Sequence, residues 1–158
     1  MRTRLALFIA TGFGSGYLPI GPGSWGSFMM AVAAWWLLGL PWWLYGTIMV
    51  GIFIIGLWAS QIADPLLPHV KGGTHDSTHI VIDEWVGMLI TFIPLFWYDV
   101  TLLHLTMGFL IFRIFDTLKF GLARWADRWG SSWGVMVDDV FAGMHAALVF
   151  WAALLIMY

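Results

Sequence analysis

The chain has 158 residues, room for one domain, and 61% of them are hydrophobic against the roughly 45–50% of a soluble globular protein, while only 10% are charged. Seven basic and nine acidic side chains are too few to coat a water-soluble body of this size, and a formal charge of -2 with no basic block excludes nucleic-acid binding through phosphates. With no cysteine there is no disulfide, thiolate nucleophile or cysteine-ligated metal, which leaves an all-α integral membrane protein folded as a single domain over residues 1–158.

Taken in chain order, Met1-Arg2-Thr3-Arg4 leads into an apolar run that breaks at Gly12 without a small-residue cleavage signal, so the segment is expected to be retained. The stretch GFGSGYLPIGPGSWGS follows, too rich in glycine and proline for continuous helix. Irregular backbone at membrane depth needs protein or water to satisfy its polar groups, so a re-entrant or interfacial segment over a cavity is expected. Five apolar stretches are then long enough to cross a bilayer as one compact bundle: residues 24–40, 42–62, 80–97, 100–115 and 137–158. Pro41 turns the first into the second. Between the fourth and fifth, Leu118, Leu122, Trp125 and Trp129 recur at helical spacing opposite Lys119, Arg124, Asp127 and Arg128, the pattern of an interfacial helix on anionic headgroups, though Gly121 weakens it.

Five crossings divide the connections into two sets. Arg2, Arg4, Lys71, Arg113, Lys119, Arg124 and Arg128 all fall in or beside one set and none in the other, so that set is expected in the cytoplasm. The acids divide similarly. Asp83 and Glu84 open the third span, Arg113 and Asp116 close the fourth, Asp138 and Asp139 open the fifth, and Asp99 lies on the opposite side. Ionisable residues at membrane depth are costly, and five carboxylates with a guanidinium on one face read as a functional site rather than as solubility.

Asp83 and Glu84 are about 100° apart on a helix and both can border one cavity, with Gly87 removing bulk one turn below; Asp139 stands in the same relation to Gly143. Hard divalent cations such as magnesium take carboxylate oxygens, so Asp83, Glu84, Asp138 and Asp139 are the candidate ligands, with acids complementing the helix dipoles as the bland alternative. Arg113, Asp116 and Lys119 follow at three-residue spacing, suited either to an intrahelical ion pair or to a clamp on phosphate. Ser15, Ser24 and Ser27 with free amides of the glycine-rich stretch suit an anion cradle, although no Walker lysine follows. His69, His75 and His79 are acid–base candidates, and His75 and His79 have zinc-compatible spacing without the H-E-x-x-H glutamate. Asp76 is the stronger contributor there. His104 and His145 are expected to be structural, as are the twelve tryptophans at the interface.

The ordered set GFGSGYLPIGPGSWGS, HDSTHIVIDEWVGM, FRIFDTLK and GVMVDDVFAG resembles the phosphatidylglycerophosphatase A family over about residues 12–143. The resemblance implies a small magnesium-dependent (Mg2+) enzyme of the bacterial inner, cytoplasmic membrane that removes the terminal phosphate of phosphatidylglycerophosphate, with the phospholipid as its partner and no protein partner inferred. It implies catalytic roles for Asp76, Asp83, Glu84, Asp116, Asp138 and Asp139, and substrate contacts from Arg113 and Lys119, with Ser24, Ser27 and His79 as further substrate-binding candidates. The chain departs from the family's usual pattern at Gly21-Pro22-Gly23-Ser24, Lys119-Phe120-Gly121-Leu122 and Ser131-Ser132, which bears on loop shape and headgroup preference. Metal-activated water and a phosphoaspartyl intermediate both suit the acids. From another functional class, a cation channel or transporter with an acid-lined vestibule would use the same residues.

Overall fold

A computed structural model describes residues 1–69 and 77–158; Lys71, His75 and Asp76 lie outside the described residues. Seven α-helices follow in order among the described residues: α1 Arg2–Ala10, α2 Pro22–Leu37, α3 Trp42–Ala63, α4 Ile82–Thr91, α5 Leu102–Leu118, α6 Leu122–Asp127 and α7 Ser132–Met157. Short 3-10 turns cover Ser15–Tyr17, Asp64–Leu66 and Ile93–Trp97, and no strand occurs among these residues.

Local chemistry sets most boundaries. The Thr101 hydroxyl accepts from the His104 amide at 3.1 Å and the Ser131 hydroxyl from the Gly134 amide at 3.3 Å, capping α5 and α7. The Ser131 cap starts α7 earlier than residue 137, so the helix carries Asp138 and Asp139 in its second turn instead of at its start. Likewise α2 begins at Pro22, inside the stretch expected to resist helix: a proline at the first helical position gives up an amide that has no helical acceptor anyway. Within the glycine-rich segment, the irregular backbone runs over residues 11–21 between α1 and α2, apart from the turn at Ser15–Tyr17. The third stretch is not one α-helix. α4 stops at Thr91 because Pro94 has no amide to donate and its ring would meet the carbonyl four residues back, and the chain continues as the tighter turn Ile93–Trp97. Lys119 at φ 45° ends α5, and the chain turns into α6, which has only six residues rather than filling the connection.

Nine of the ten residues of α4 are buried, Asp83 and Glu84 among them. It is the central helix, packed by α2, α3, α5 and α7. Its tightest neighbour is α7. A methyl group added at Gly143 would lie 2.9 Å from the Gly87 Cα and 3.0 Å from its carbonyl carbon, and one added at Gly87 would meet the Phe112 ring and the Asp139 carbonyl oxygen. The two glycines thus let α4 and α7 touch backbone to backbone. The space beneath the acids that their spacing reserves for a metal is filled by the opposing helix.

Trp42–Leu66 and Ser132–Met157 are long and apolar enough to cross a membrane. Large apolar side chains project from their outer faces, such as Ile54 at 61% and Leu148 at 66% exposure.

Candidate active site

The crossing of α4 and α7 one turn below Asp83 and Asp139 delivers both carboxylates to the same cavity. Its volume is about 260 Å³, and Asp83, Glu84, Arg113, Asp116, Lys119, Asp138 and Asp139 all line it. The walls are the first turn of α4, the last turns of α5 and the second turn of α7. Gly21, Pro22 and Gly23 close one side at the start of α2, and Ser77 and Thr78 another. Phe112, Met88 and Phe92, each fully buried, lie in the packed interior of these helices.

Arg113 ties three helices together. Its Nη1 lies 3.0 Å from Glu84 Oε2 and 2.8 Å from Asp116 Oδ2, and donates to Ser27 Oγ at 3.2 Å. Glu84 also accepts from the Ser27 amide at 3.2 Å and from the Ser27 hydroxyl. A Cβ at Gly23 would collide with Glu84 Oε1. The anion held at the glycine-rich start of α2 is therefore the chain's own Glu84, which only a glycine at position 23 lets so close. Lys119, just past the end of α5, pairs with Asp138 at 2.5 Å and with Asp127. Arg113 and Lys119 keep 22% and 29% of their side-chain surfaces accessible, so both remain reachable by an anion.

Other candidates stand apart. The His79 ring donates through Nδ1 to the Gly16 carbonyl at 2.7 Å, and Val81 N–H donates to Ala10 O at 2.9 Å, so His79 and Val81 pin the irregular N-terminal segment, while Ile80 between them lines the cavity. Ser24 is half-buried and outside the lining, whereas Ser27, also outside it, supports Glu84 and Arg113 from behind. His69 lies 3.2 Å from Asp64. His104 donates through Nδ1 to the Asp99 carbonyl at 2.6 Å, and His145 stacks on Phe115, both structural placements.

Sequence reasoning passed over Asp64, a carboxylate at 2% exposure that accepts from the Ser77 amide at 3.3 Å, and so braces the strand of chain leading to α4. The available signal was an acid directly before a proline at the end of an apolar run. Ser77, held by that bond, and Thr78 beside it reach the cavity wall.

Among the described residues, no group of three His, Asp or Glu side chains stands ready to hold a metal ion. Three of the five cavity carboxylates are engaged by the chain's own cations, Glu84 and Asp116 by Arg113, and Asp138 by Lys119. The donor chemistry nonetheless suits a hard divalent cation: all five acids offer oxygen, and two cations leave an excess of negative charge in a site where Asp83, Asp138 and Asp139 are 7%, 3% and 3% exposed.

The Phosphatidylglycerophosphatase A family model matches residues 8–154, which takes in every cavity residue. The chain belongs to the phosphatidylglycerophosphatase A family. The phosphatidylglycerophosphatase A of Escherichia coli is 41% identical over 142 residues, covering 88% of this chain and 77% of that protein. That of Haemophilus influenzae is 34% identical over 150 residues, covering 91% and 85%. A Bacteroides thetaiotaomicron protein named "Putative phosphatidylinositol-3-phosphatase" is 29% identical over 156 residues, covering 92% and 91%. No solved structure matches. Membership of the phosphatidylglycerophosphatase A family makes the chain a phosphomonoester hydrolase and turns the clustered acids into the place to seek its chemistry.

Proposed function

We propose that the chain is a multi-pass membrane phosphatase that hydrolyses the terminal phosphomonoester of phosphatidylglycerophosphate to phosphatidylglycerol and phosphate, with magnesium at the carboxylate cluster. The observation that carries this reading is the convergence of five carboxylates with Arg113 and Lys119 in one cavity. Asp83, Glu84, Asp138 and Asp139 would hold magnesium, which when bound supplies positive charge to offset that of the phosphate. Arg113, held in place by Glu84 and Asp116, presents its accessible edge to the phosphate oxygens, and Lys119 approaches from the end of α5. Ser27 keeps Glu84 and Arg113 in register. Backbone contact between α4 and α7 directly below the acids favours a blind cavity over the ion path that a channel requires.

Phosphate release by the detergent-solubilised protein tests the reading. Phosphatidylglycerophosphate is expected to be hydrolysed in magnesium, in preference to phosphatidylinositol 3-phosphate and phosphatidic acid, and hydrolysis is expected to stop in excess chelator. No release under any condition would sink it and leave cation flux through liposomes as the measurement to make.

The same proposal places α2, α3, α4 with its following turn, α5 and α7 across the bilayer, the first 21 residues at the interface, and the acids toward the cytoplasm of the bacterial inner membrane. Along α7, Asp139 to Tyr158 rises about 28 Å, close to the roughly 30 Å hydrocarbon thickness. Asp99 and Tyr158 line a shared cavity at the far end. Arg124 and Arg128, exposed beside Trp125 and Trp129, lie where α6 would rest on anionic headgroups. Single cysteines introduced into this cysteine-free chain at Ser132 and Tyr158 check sidedness in intact cells. An impermeant thiol reagent is expected to label position 158 and spare 132, and the opposite pattern would invert the topology.

A further inference from the structure

A second cavity of about 500 Å³ opens on the outer face between α2 and α5. Its walls are Phe28, Val32 and Trp36 from α2 facing Leu102, Thr106 and Phe109 from α5, with further apolar side chains between them. The Thr106 hydroxyl donates to the Leu102 carbonyl of its own helix at 2.8 Å, and apart from the Trp35 and Trp36 indoles the rest of the lining is apolar.

One end of the groove borders the Ser27–Arg113 contact. Phe28 follows Ser27 directly on α2, and Phe109 stands one turn before Arg113 on α5; their rings pack edge to face with centroids 6.4 Å apart at the boundary. From Arg113 back to Leu102 is eleven residues of α5, a rise of about 16 Å, and from Ser27 to Trp36 nine residues of α2, about 14 Å. One leaflet contributes roughly 15 Å of hydrocarbon. The groove thus starts beside the Arg113 guanidinium and has the length of a single leaflet's depth.

We infer that the α2–α5 groove binds one acyl chain of the phospholipid substrate while the phosphate of the same molecule sits at Arg113. This rests on the phosphatase reading above and adds the substrate's tail to it. Proximity argues for a substrate chain over a bulk lipid: a chain lying here starts one helical turn from Arg113 and beside Ser27, where the headgroup is required for hydrolysis. A chain so held brings the phosphate to the cavity with its path already set, and favours diacyl lipids over water-soluble monoesters.

A phosphatidylglycerophosphate carrying a photoreactive group on one acyl chain tests the assignment in detergent–lipid micelles. Adducts are expected on peptides of α2 and α5, competed by unlabelled substrate and not by phosphatidylcholine. Val32→Trp and Thr106→Trp, which fill the groove from opposite walls at exposed positions, should reduce both the adduct and kcat/KM for long-chain substrate about tenfold, the equivalent of leaving two methylenes unburied. Val50→Trp on the outer face of α3, at 53% exposure, should change neither. Adducts spread evenly over the outer helix faces, or competed equally by phosphatidylcholine, would overturn the site in favour of bulk lipid, as would wall variants with the wild-type adduct yield. Groove adducts in a protein that releases no phosphate would instead overturn the phosphatase reading and leave the acyl site standing.

Discussion

Asp139→Asn is expected to lower phosphate release by a factor on the order of 10²–10³ without weakening the fold. Asp139 is 3% exposed, and the replacement keeps its shape while removing the charge that a cation or phosphoryl group would interact with. Structure and activity should then move in opposite directions. Five carboxylates share the cavity with two cations, so removing one buried negative charge relieves repulsion, and the variant's Tm in chelator is expected to equal or exceed that of the wild type. Magnesium should raise the Tm of the wild type, because an ion bound only by the folded state stabilises it, and should raise that of Asp139→Asn far less. Asp83→Asn is expected to behave the same way. Asp99→Asn, at the far end of the molecule, should match the wild type in both measurements. Wild-type turnover by Asp139→Asn at limiting magnesium would remove that residue from the site.

Gly143→Ala is expected to damage both the fold and the activity. Its Cβ would stand 2.9 Å from the Gly87 Cα and press on the Gly87 carbonyl, both backbone atoms of a helix packed on several sides. Backbone has no rotamer through which to retreat, so α4 and α7 must separate, at a cost of about 1–3 kcal/mol for overpacking. Separation also moves Asp83 and Glu84 away from Asp138 and Asp139, so activity is expected to fall further than stability alone accounts for. Gly51→Ala is the matched control: nothing lies within 4 Å of a Cβ there, in the interior of α3, and it should stabilise by about 0.4–1 kcal/mol. Thermal unfolding together with phosphate release separates the two positions; equal behaviour would mean that the crossing does not set the site.

Composition and spacing alone pointed to an all-α chain and to most of the residues that line the acidic cavity. A charged content of 10% cannot clothe a soluble body, and acids interrupting apolar helices stand out because burying them is costly, so Asp83, Glu84, Arg113, Asp116, Lys119, Asp138 and Asp139 were legible as residue types in the wrong surroundings. The motif order carried the family. Only the tertiary structure decided what each motif packs against. Whether a glycine leaves a gap or admits a neighbouring backbone depends on what stands opposite, and for Gly87 it is α7. Whether a glycine-rich helix start holds a ligand or a side chain depends on which anion is nearest, and here it is Glu84. His79, with the chemistry of an acid–base group, is spent on the Gly16 carbonyl, and Asp64, with no pattern around it, braces Ser77. Local spacing places residues on the face of one helix, whereas contacts between segments far apart in the chain are set by packing, which no window along a single sequence contains.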